Sequence, residues 1–402
     1  MKHITSSSIV LTEECNMDCS FCYEKSKAKE TMSQETVCKV IDFIFDNQKP
    51  SQDLFLFWFG GEPLLNFEVF RFGVKYANEK AAKAGTRINH RISTNGTVWN
   101  DEIEQFFIDN PKVTLQVSWQ GLADIQDIDR GAADIVEANS ARIAAKLFNP
   151  FNVQLQIMPK NIYRLSEAVD HIVEVTKGKA AIILRPVPEA TGWDGDPAII
   201  AELENQMYIC CEKYGPLIKR VSYCESGEIY HVNDCRAGRE FCTFVPTGDI
   251  YLCHRFYFGQ RNQSDKFKLG NLETGFLHNT HTEEYERYYG EDMEGCKNCE
   301  AGVVCYKCFA CNYETTGDMM KPTVQNCTVN RAHASALGRY LSEHKHQEVK
   351  PLPSLDLDLK NLCIDQMLPL LLFLTGQMQS LTNRVTTLEE KRTVLNLSKP
   401  AK

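Results

Sequence analysis

Polar and apolar positions follow two alternating rhythms through the first half of the chain. Strand-length segments stand at 8–11, 54–59, 89–93, 113–118, 153–157 and 181–185. Between them, stretches with apolar residues three and four apart read as helices, including 33–47, 67–84 and 101–109. Ser33 opens the first of these as an N-cap, with Thr36 rather than a glutamate three residues on. About six strand–helix units in series predict a parallel sheet with helices outside it over residues 1–215.

Past residue 215 that rhythm is lost. Pro246 and a turn at Thr247, Gly248 and Asp249 lead into the apolar Ile250, Tyr251 and Leu252, which reads as a β-hairpin. A polar, basic linker from 342 to 352, with Pro351 and Pro353 around its end, precedes the tail. The apolar run 367–374 is far short of the roughly 20 residues a membrane span needs. Met378, Leu381, Val385, Leu388 and Leu395 then follow helical spacing with Arg392 in the seam, too few repeats for a coiled coil. We expect a helical tail at 341–402 that packs back on the barrel, self-associates as a homodimer contact, or meets a partner.

Composition narrows the classes. A chain of 402 residues is long enough for two cored domains. Net charge is −9 and the Lys and Arg are scattered, so no basic field points to nucleic acid. Met1, Lys2 and His3 lead straight into the first strand without a signal-peptide pattern. Seventeen cysteines in such a chain read as reduced thiols or metal ligands in a cytoplasmic protein, not as a disulfide framework.

The chemistry begins at Cys15, Cys19 and Cys22, a Cys-x3-Cys-x2-Cys run directly after the first strand. Three thiolates hold three corners of a 4Fe–4S cube and leave one iron open for a cofactor. Zinc clips favour paired Cys-x2–4-Cys units with two further ligands, which this unpaired triple is not. The run resembles the cluster motif of the radical S-adenosylmethionine (SAM) enzymes, and further motifs follow in that family's order. The strand at 54–59 ends in Gly60, Gly61, Glu62 and Pro63. In the family this segment holds the amino group of SAM, since glycines let carbonyls approach and a carboxylate pairs with an ammonium. The resemblance also implies SAM contacts at Ser93 and Asn95 and at Ser118, and an adenine contact at Phe21. Gln120 stands where many relatives carry Asp, so Ser118 is the stronger candidate. The fold implied is a partial (β/α)6, TIM-like barrel whose chemistry sits at the carboxyl ends of its strands.

The second half carries Cys235, Cys242 and Cys253, then Cys296, Cys299, Cys305, Cys308 and Cys311, then Cys327. This spacing, with Gly248 before Cys253, resembles the SPASM domain, a small cysteine-rich extension of many radical SAM enzymes, here at 216–340. The resemblance implies two auxiliary 4Fe–4S clusters, making three with the first. Cys235, Cys242 and Cys253 would ligate one; Cys296, Cys299, Cys305 and Cys327 the other. The family expects one more cysteine at the position of Phe309, and either Cys308 or Cys311, which flank it, would supply that ligand. A zinc ribbon would use four of these nine cysteines and strand five. Cys38, Cys210, Cys211, Cys224 and Cys363 lie outside both patterns and read as small buried apolar residues.

The resemblance implies an enzyme that reductively cleaves SAM, releasing a 5′-deoxyadenosyl radical that takes hydrogen from a peptide. Its electrons would come from a flavodoxin or ferredoxin. Within the family, the chain looks most like the maturases of ribosomally made (RiPP) precursor peptides, with thioether or C–C crosslinking as the leading chemistry. Backbone excision and Cα epimerisation stand behind it. Anaerobic sulfatase maturation, which forms formylglycine, stands further back, because His254 follows Cys253 where those enzymes place Asp. His254 and Arg185, at the end of the sixth strand, are the candidate catalytic residues. A protein that only houses clusters for electron transfer is the non-enzymatic alternative, and it would have no use for the Gly60-Gly61-Glu62 motif. Peptide maturases often carry an N-terminal leader-recognition domain, whereas here the barrel starts at once. We therefore expect leader binding to fall to a separate protein or to the tail.

Overall fold

The computed structural model describes residues 3–24, 29–49, 52–187, 190, 192–193, 196–219, 236–259, 264–277, 293, 296, 299–305 and 307–344. Cys224, Cys235, Cys363 and the apolar tail positions lie outside these. Six strands run parallel in chain order: β1 (Ser6–Thr12), β2 (Leu54–Gly60), β3 (Ile88–Thr94), β4 (Val113–Ser118), β5 (Phe151–Ile157) and β6 (Ala180–Pro186). The helices between and after them are α1 (Gln34–Asp46), α2 (Phe67–Ala84), α3 (Asp101–Asp109), α4 (Ala123–Asp129), α5 (Ala133–Lys146), α6 (Leu165–Thr176) and α7 (Pro197–Tyr214). The α/β architecture expected from the sequence is the one that forms, with β6 the last strand of the sheet and bridged at Ile182 to Ile218.

Local chemistry explains the helix starts. Ser33 accepts the backbone N–H of Thr36 at 3.0 Å, and Val37, Val40, Ile41 and Ile44 fill the buried face of α1. Asn100 caps α3 by accepting the N–H of Ile103 at 2.9 Å.

The two faces of the sheet differ in kind. Leu54, Leu56, Trp58, Ile92, Leu115, Val117, Val153, Leu155, Ile182 and Leu184 are buried on the helix side. There Trp58 meets Phe70 of α2 edge-on at 5.5 Å. Trp58 also donates its indole N–H to Nδ1 of the buried His90 at 3.1 Å. The opposite face, read from strand register, carries Ser8, Phe57, Arg91 and Thr114 at one level. Ser93, Gln116 and Asn152 stand level with one another, as do Ser118, Gln154 and Ile183. Parallel sheets with both faces covered are apolar on both; this one keeps a polar inner wall.

The free edge of β1 is taken by β7 (Phe241–Phe244), which runs parallel to it. β7 turns into β8 (Asp249–Tyr251), the expected hairpin, and β9 (Lys268–Asn271) and β10 (Gly275–Phe276) extend it to a ten-stranded sheet. The sheet thus runs unbroken past residue 215, and the described residues cluster as one compact unit. Beyond the hairpin lie α8 (His254–Gly259), α9 (Ser264–Phe267), α10 (Phe309–Thr316) and α11 (Val324–Glu343). Among the described residues no helix is long and apolar enough to cross a membrane.

Candidate active site

The site is built at the carboxyl ends of the strands. Leaving β1, the chain enters the loop with Cys15, Cys19 and Cys22, all half-buried and free of disulfides. Several hydrogen bonds hold this loop. Asn95, just past β3, donates to Asn16 Oδ1 at 2.8 Å and approaches Cys15 Sγ at 3.9 Å. The N–H of Ser20 bonds the carbonyl of Asp129 at 2.9 Å, and the Asp129 carboxylate is paired with Lys160. The N–H of Cys22 closes a turn on the carbonyl of Cys19 at 3.1 Å.

Gly60 and Gly61 lie directly beneath the loop. A Cβ on Gly60 would come to 2.3 Å from the carbonyl oxygen of Thr12, and one on Gly61 to 2.3 Å from that of Glu14. Glycine is needed here for close approach of two backbones. The Glu62 carboxylate is fully buried and already engaged. It accepts from Leu64 N (3.0 Å), Thr94 Oγ1 (2.8 Å) and Asn95 N (2.6 Å). Burial pushes its pKa up to about 7, against those hydrogen bonds and the Arg130 charge. Glu62 is thus bound to the frame, which leaves the glycine backbone, not the carboxylate, as the open acceptor.

Of the other expected contacts, Ser118 is half-buried at the end of β4, and Ser93 accepts from Gln116 at 3.0 Å. Asn95 is spent on the cysteine loop and on Thr97. Gln120 is buried and bonds both backbone groups of Gln156, so its departure from the family's Asp serves strand pairing. Sequence reasoning missed Arg130. Its guanidinium lies 5.5 Å from the centre of the Phe21 ring, and its Nε is shut from solvent without a partner. Nothing in the periodicity marks it; it follows α4 in a turn where Gly131 and Ala132 both take positive φ.

The cysteine-rich region arrives at the same end of the sheet. His254 packs 4.5 Å from the Phe59 ring and 6.1 Å from Tyr23, the residue after Cys22. Its Nδ1 is buried without a hydrogen-bond partner. Burial first, then the Arg255 and Arg185 charges, push the ring down to about 4. That environment disfavours the imidazolium a general base would form. Arg185 is exposed at the end of β6. Arg255 lies 4.9 Å over the Tyr23 ring and pairs with Glu314 of α10 at 2.6 Å. Burial, then Glu24, hold the Tyr23 phenol well above its ordinary range, and the Cys22 and Cys253 thiols add to this.

The remaining cysteines fall into separate groups. Cys327 on α11 is held above the ordinary thiol range by burial and by the neighbouring Cys296 and Cys299. Cys308 caps α10, its Sγ accepting the N–H of Cys311 at 3.5 Å. A hydrogen bond with the Cys311 side chain first, then the Arg255 charge, the Cys311 N–H and the Arg185 charge, outweigh burial and hold the Cys308 thiol well below its usual range. Cys311 is buried within the helix. Cys242 differs from expectation: alternation along β7 turns it to the helix side, where its Sγ lies 3.8 Å from Ser7 Oγ and burial pushes it up to about 12. Cys210 and Cys211 are buried on α7 and Cys38 lies on α1. Among the described residues no three His, Cys, Asp or Glu side chains are gathered closely enough to hold a single metal ion.

Residues 9–159, the segment with the cysteine loop and the glycine turn, match the model of the radical SAM superfamily. The chain carries a radical SAM domain. It is an enzyme domain, and its superfamily works with SAM and a 4Fe–4S cluster. A protein of Methanocaldococcus jannaschii without an assigned activity is 27% identical over 296 residues, 68% of this chain and 93% of its own length. The mycofactocin maturase MftC of Mycobacterium tuberculosis is 25% identical over 254 residues, 60% of this chain and 62% of that protein. This chain thus spans less than two thirds of that maturase. The serine-type anaerobic sulfatase-maturating enzyme of Bacteroides thetaiotaomicron is 37% identical over 103 residues, 24% of each. Among solved structures, native anSMEcpe with bound AdoMet superposes with a TM-score of 0.66 at 17% identity, covering 85% of this chain and 99% of that one. Streptococcus suis SuiB bound to the precursor peptide SuiA gives 0.54 at 16%, covering 81% and 76%. At these identities the likeness is one of fold.

The residues fit the group that superfamily uses. Three half-buried thiols stand on one loop, a glycine turn lies beneath it, and the Arg130 guanidinium, its Nε without a partner, lies beside Phe21.

Proposed function

We propose that this chain is a radical SAM peptide maturase that oxidises a ribosomally made precursor peptide, with crosslink formation as the leading chemistry. The observation that carries it is the meeting at one strand end of Tyr23 from the cysteine loop with His254 and Arg255, the residues directly after Cys253. A crosslink removes two electrons from the peptide, and an auxiliary cluster held by the cysteine-rich region would supply an acceptor for the second. Similarity to a protein named a maturase and to the fold of SuiB, solved with a precursor peptide, supports a peptide substrate.

In this reading Cys15, Cys19 and Cys22 hold the first 4Fe–4S cluster. The backbone of Gly60 and Gly61 takes the SAM ammonium, Arg130 and Ser118 its carboxylate, and Phe21 its adenine. Bound there, the cofactor pair supplies one-electron cleavage of the sulfonium and hence hydrogen-atom abstraction. Glu62 braces Thr94 and Asn95 beneath the glycine turn. Cys235, Cys253 and Cys308 serve one auxiliary cluster, and Cys296, Cys299, Cys305 and Cys327 the other. Cys308 is chosen over Cys311 because it lies at the helix start near Arg185 and Arg255, while Cys311 is buried inside α10. Cys242, on the far side of the sheet, is left out. His254 walls the mouth and Arg185 guides the peptide. A flavodoxin or ferredoxin is the proposed reductant.

The test is anaerobic co-expression with a candidate precursor peptide, read by intact and fragment mass, for wild type and Cys15→Ala. Loss of two hydrogens per modified motif, absent in Cys15→Ala, is the expected result. Loss of a larger fragment would replace crosslinking by excision, and deuterium uptake without other mass change by epimerisation. Formylglycine in a sulfatase peptide would move the chain to the sulfatase maturases. A reconstituted protein that leaves SAM intact under dithionite would overturn the reading as a whole.

A further inference from the structure

The polar inner wall holds an unpaired cation. Arg91 sits mid-strand on β3, level with Phe57 of β2 and Thr114 of β4. Its guanidinium lies 5.5 Å from the centre of the Phe57 ring, which fixes the side chain without neutralising it. Its Nε is shut from solvent and has no hydrogen-bond partner. Among the described residues no carboxylate pairs with it, although the chain has more acidic than basic residues. Arg91 is half-buried, and an N–H shut from water without an acceptor is costly.

The surroundings say what partner is missing. Along the inner face of β1 to β6 the charged positions are Arg91 and Arg185, both cationic. The rest is neutral and polar, with Gln116 donating to Ser93 at 3.0 Å and to Gln154 at 3.1 Å. These amides hold one another; Arg91 Nε and the hydroxyls of Ser8 and Thr243 are left without partners, and of these groups the guanidinium carries the charge. A cationic lumen with low-dielectric walls attracts an anion. A planar fork of donors suits a carboxylate in particular.

Depth sets the reach. Arg91 lies three residues below Thr94, the end of β3. At about 3.3 Å per residue that is about 10 Å beneath the cysteine loop and the glycine turn. An extended peptide covers this in about three residues.

We propose that Arg91 is a substrate-carboxylate subsite inside the barrel. It binds either the C-terminal carboxylate of the peptide or an Asp or Glu side chain, within about three residues of the position modified at the mouth. The subsite anchors the peptide end-on, so that specificity includes the spacing between an anionic group and the reacting residue. This rests on the peptide reading above, which is tested by the precursor's mass; the subsite is tested by binding, so the two fail separately.

The experiment uses the anaerobically reconstituted full chain and four pools of N-acetylated tetrapeptides, compared by affinity selection with mass-spectrometric readout. The pools are free acids or C-terminal amides, each with Glu or Gln at one internal position. Retention of a carboxylate-bearing pool over the amide, Gln pool by at least about tenfold is expected, the scale of one hydrogen-bonded charge pair. Comparing the acid, Gln pool with the amide, Glu pool tells a terminal from a side-chain carboxylate. Arg91→Gln removes the preference at unchanged circular dichroism, and Arg91→Lys, which keeps the charge but not the fork, retains only part of it. Equal retention of all four pools, no retention of any, or a preference that survives in Arg91→Gln overturns the proposal.

Discussion

Tyr257 donates its hydroxyl hydrogen to the carboxylate of Glu13, joining residues 244 positions apart in the chain. Glu13 is wholly buried and lies two residues before Cys15; Tyr257 lies four after Cys253, on α8. The bond ties the cysteine-rich region to the root of the cysteine loop. Tyr257→Phe keeps the ring and leaves a buried carboxylate short of a donor, which costs about 1–3 kcal/mol. A lower thermal midpoint and faster loss of iron on gel filtration are expected. Wild-type values for both would show that the bond does not hold the loop.

Cys308 and Cys311 separate in an iron count. With Cys308 the auxiliary ligand, Cys308→Ala lowers iron in the anaerobically reconstituted protein by about four per chain, one cluster's worth. Cys311→Ala leaves iron unchanged and at most loosens α10. The reverse pattern would move the ligand to Cys311.

Arg130 is expected to matter for SAM and not for folding. Arg130→Gln weakens SAM binding by about tenfold or more, the scale of a lost charged hydrogen bond. Anaerobic isothermal titration measures this, with circular dichroism as the control. Unchanged affinity would take Arg130 out of the SAM site.

His90 makes stability depend on pH. Its Nδ1 accepts from Trp58 and its Nε2 lies 3.2 Å from Asn78 Oδ1, a network that needs the neutral ring. Burial pushes its pKa down from 6.5 to about 4. The unfolded chain therefore binds the proton more readily, and stability is full above pH 6.5 and falls as pH drops towards 4. The total is about 3 kcal/mol. Denaturant unfolding of the apo chain from pH 7.5 to 4 measures it, and His90→Asn flattens the slope over that window. An equal slope in the variant would place the effect elsewhere.

Much of this was open to reading along the chain. The strands at 54–59 and 113–118 differ by no more than a residue from β2 and β4, because a run of apolar and β-branched residues bounded by turn formers is a local signal. The Ser33 cap held for the same reason. Gly60 and Gly61 were legible as a turn, but the reason for glycine, the carbonyls of Thr12 and Glu14, lies on another strand. The sequence casts Glu62 as a partner for an ammonium, whereas its three donors come from Leu64, Thr94 and Asn95. Cys242 belongs to a run of cysteines in the sequence, and the pleat of β7 decides that it faces Ser7.

The sequence by itself determined the order of strands and helices, the cysteine loop, the glycine turn and the class of chemistry, because each is written in residues close together in the chain. Only the tertiary structure decided which buried donors are left without an acceptor. Arg130 and Arg91 are ordinary arginines in the sequence, and they stand out because no acceptor from any other element reaches their Nε atoms. Partnership depends on contacts between segments far apart in the chain, and those exist only once the sheet has brought its strands into register.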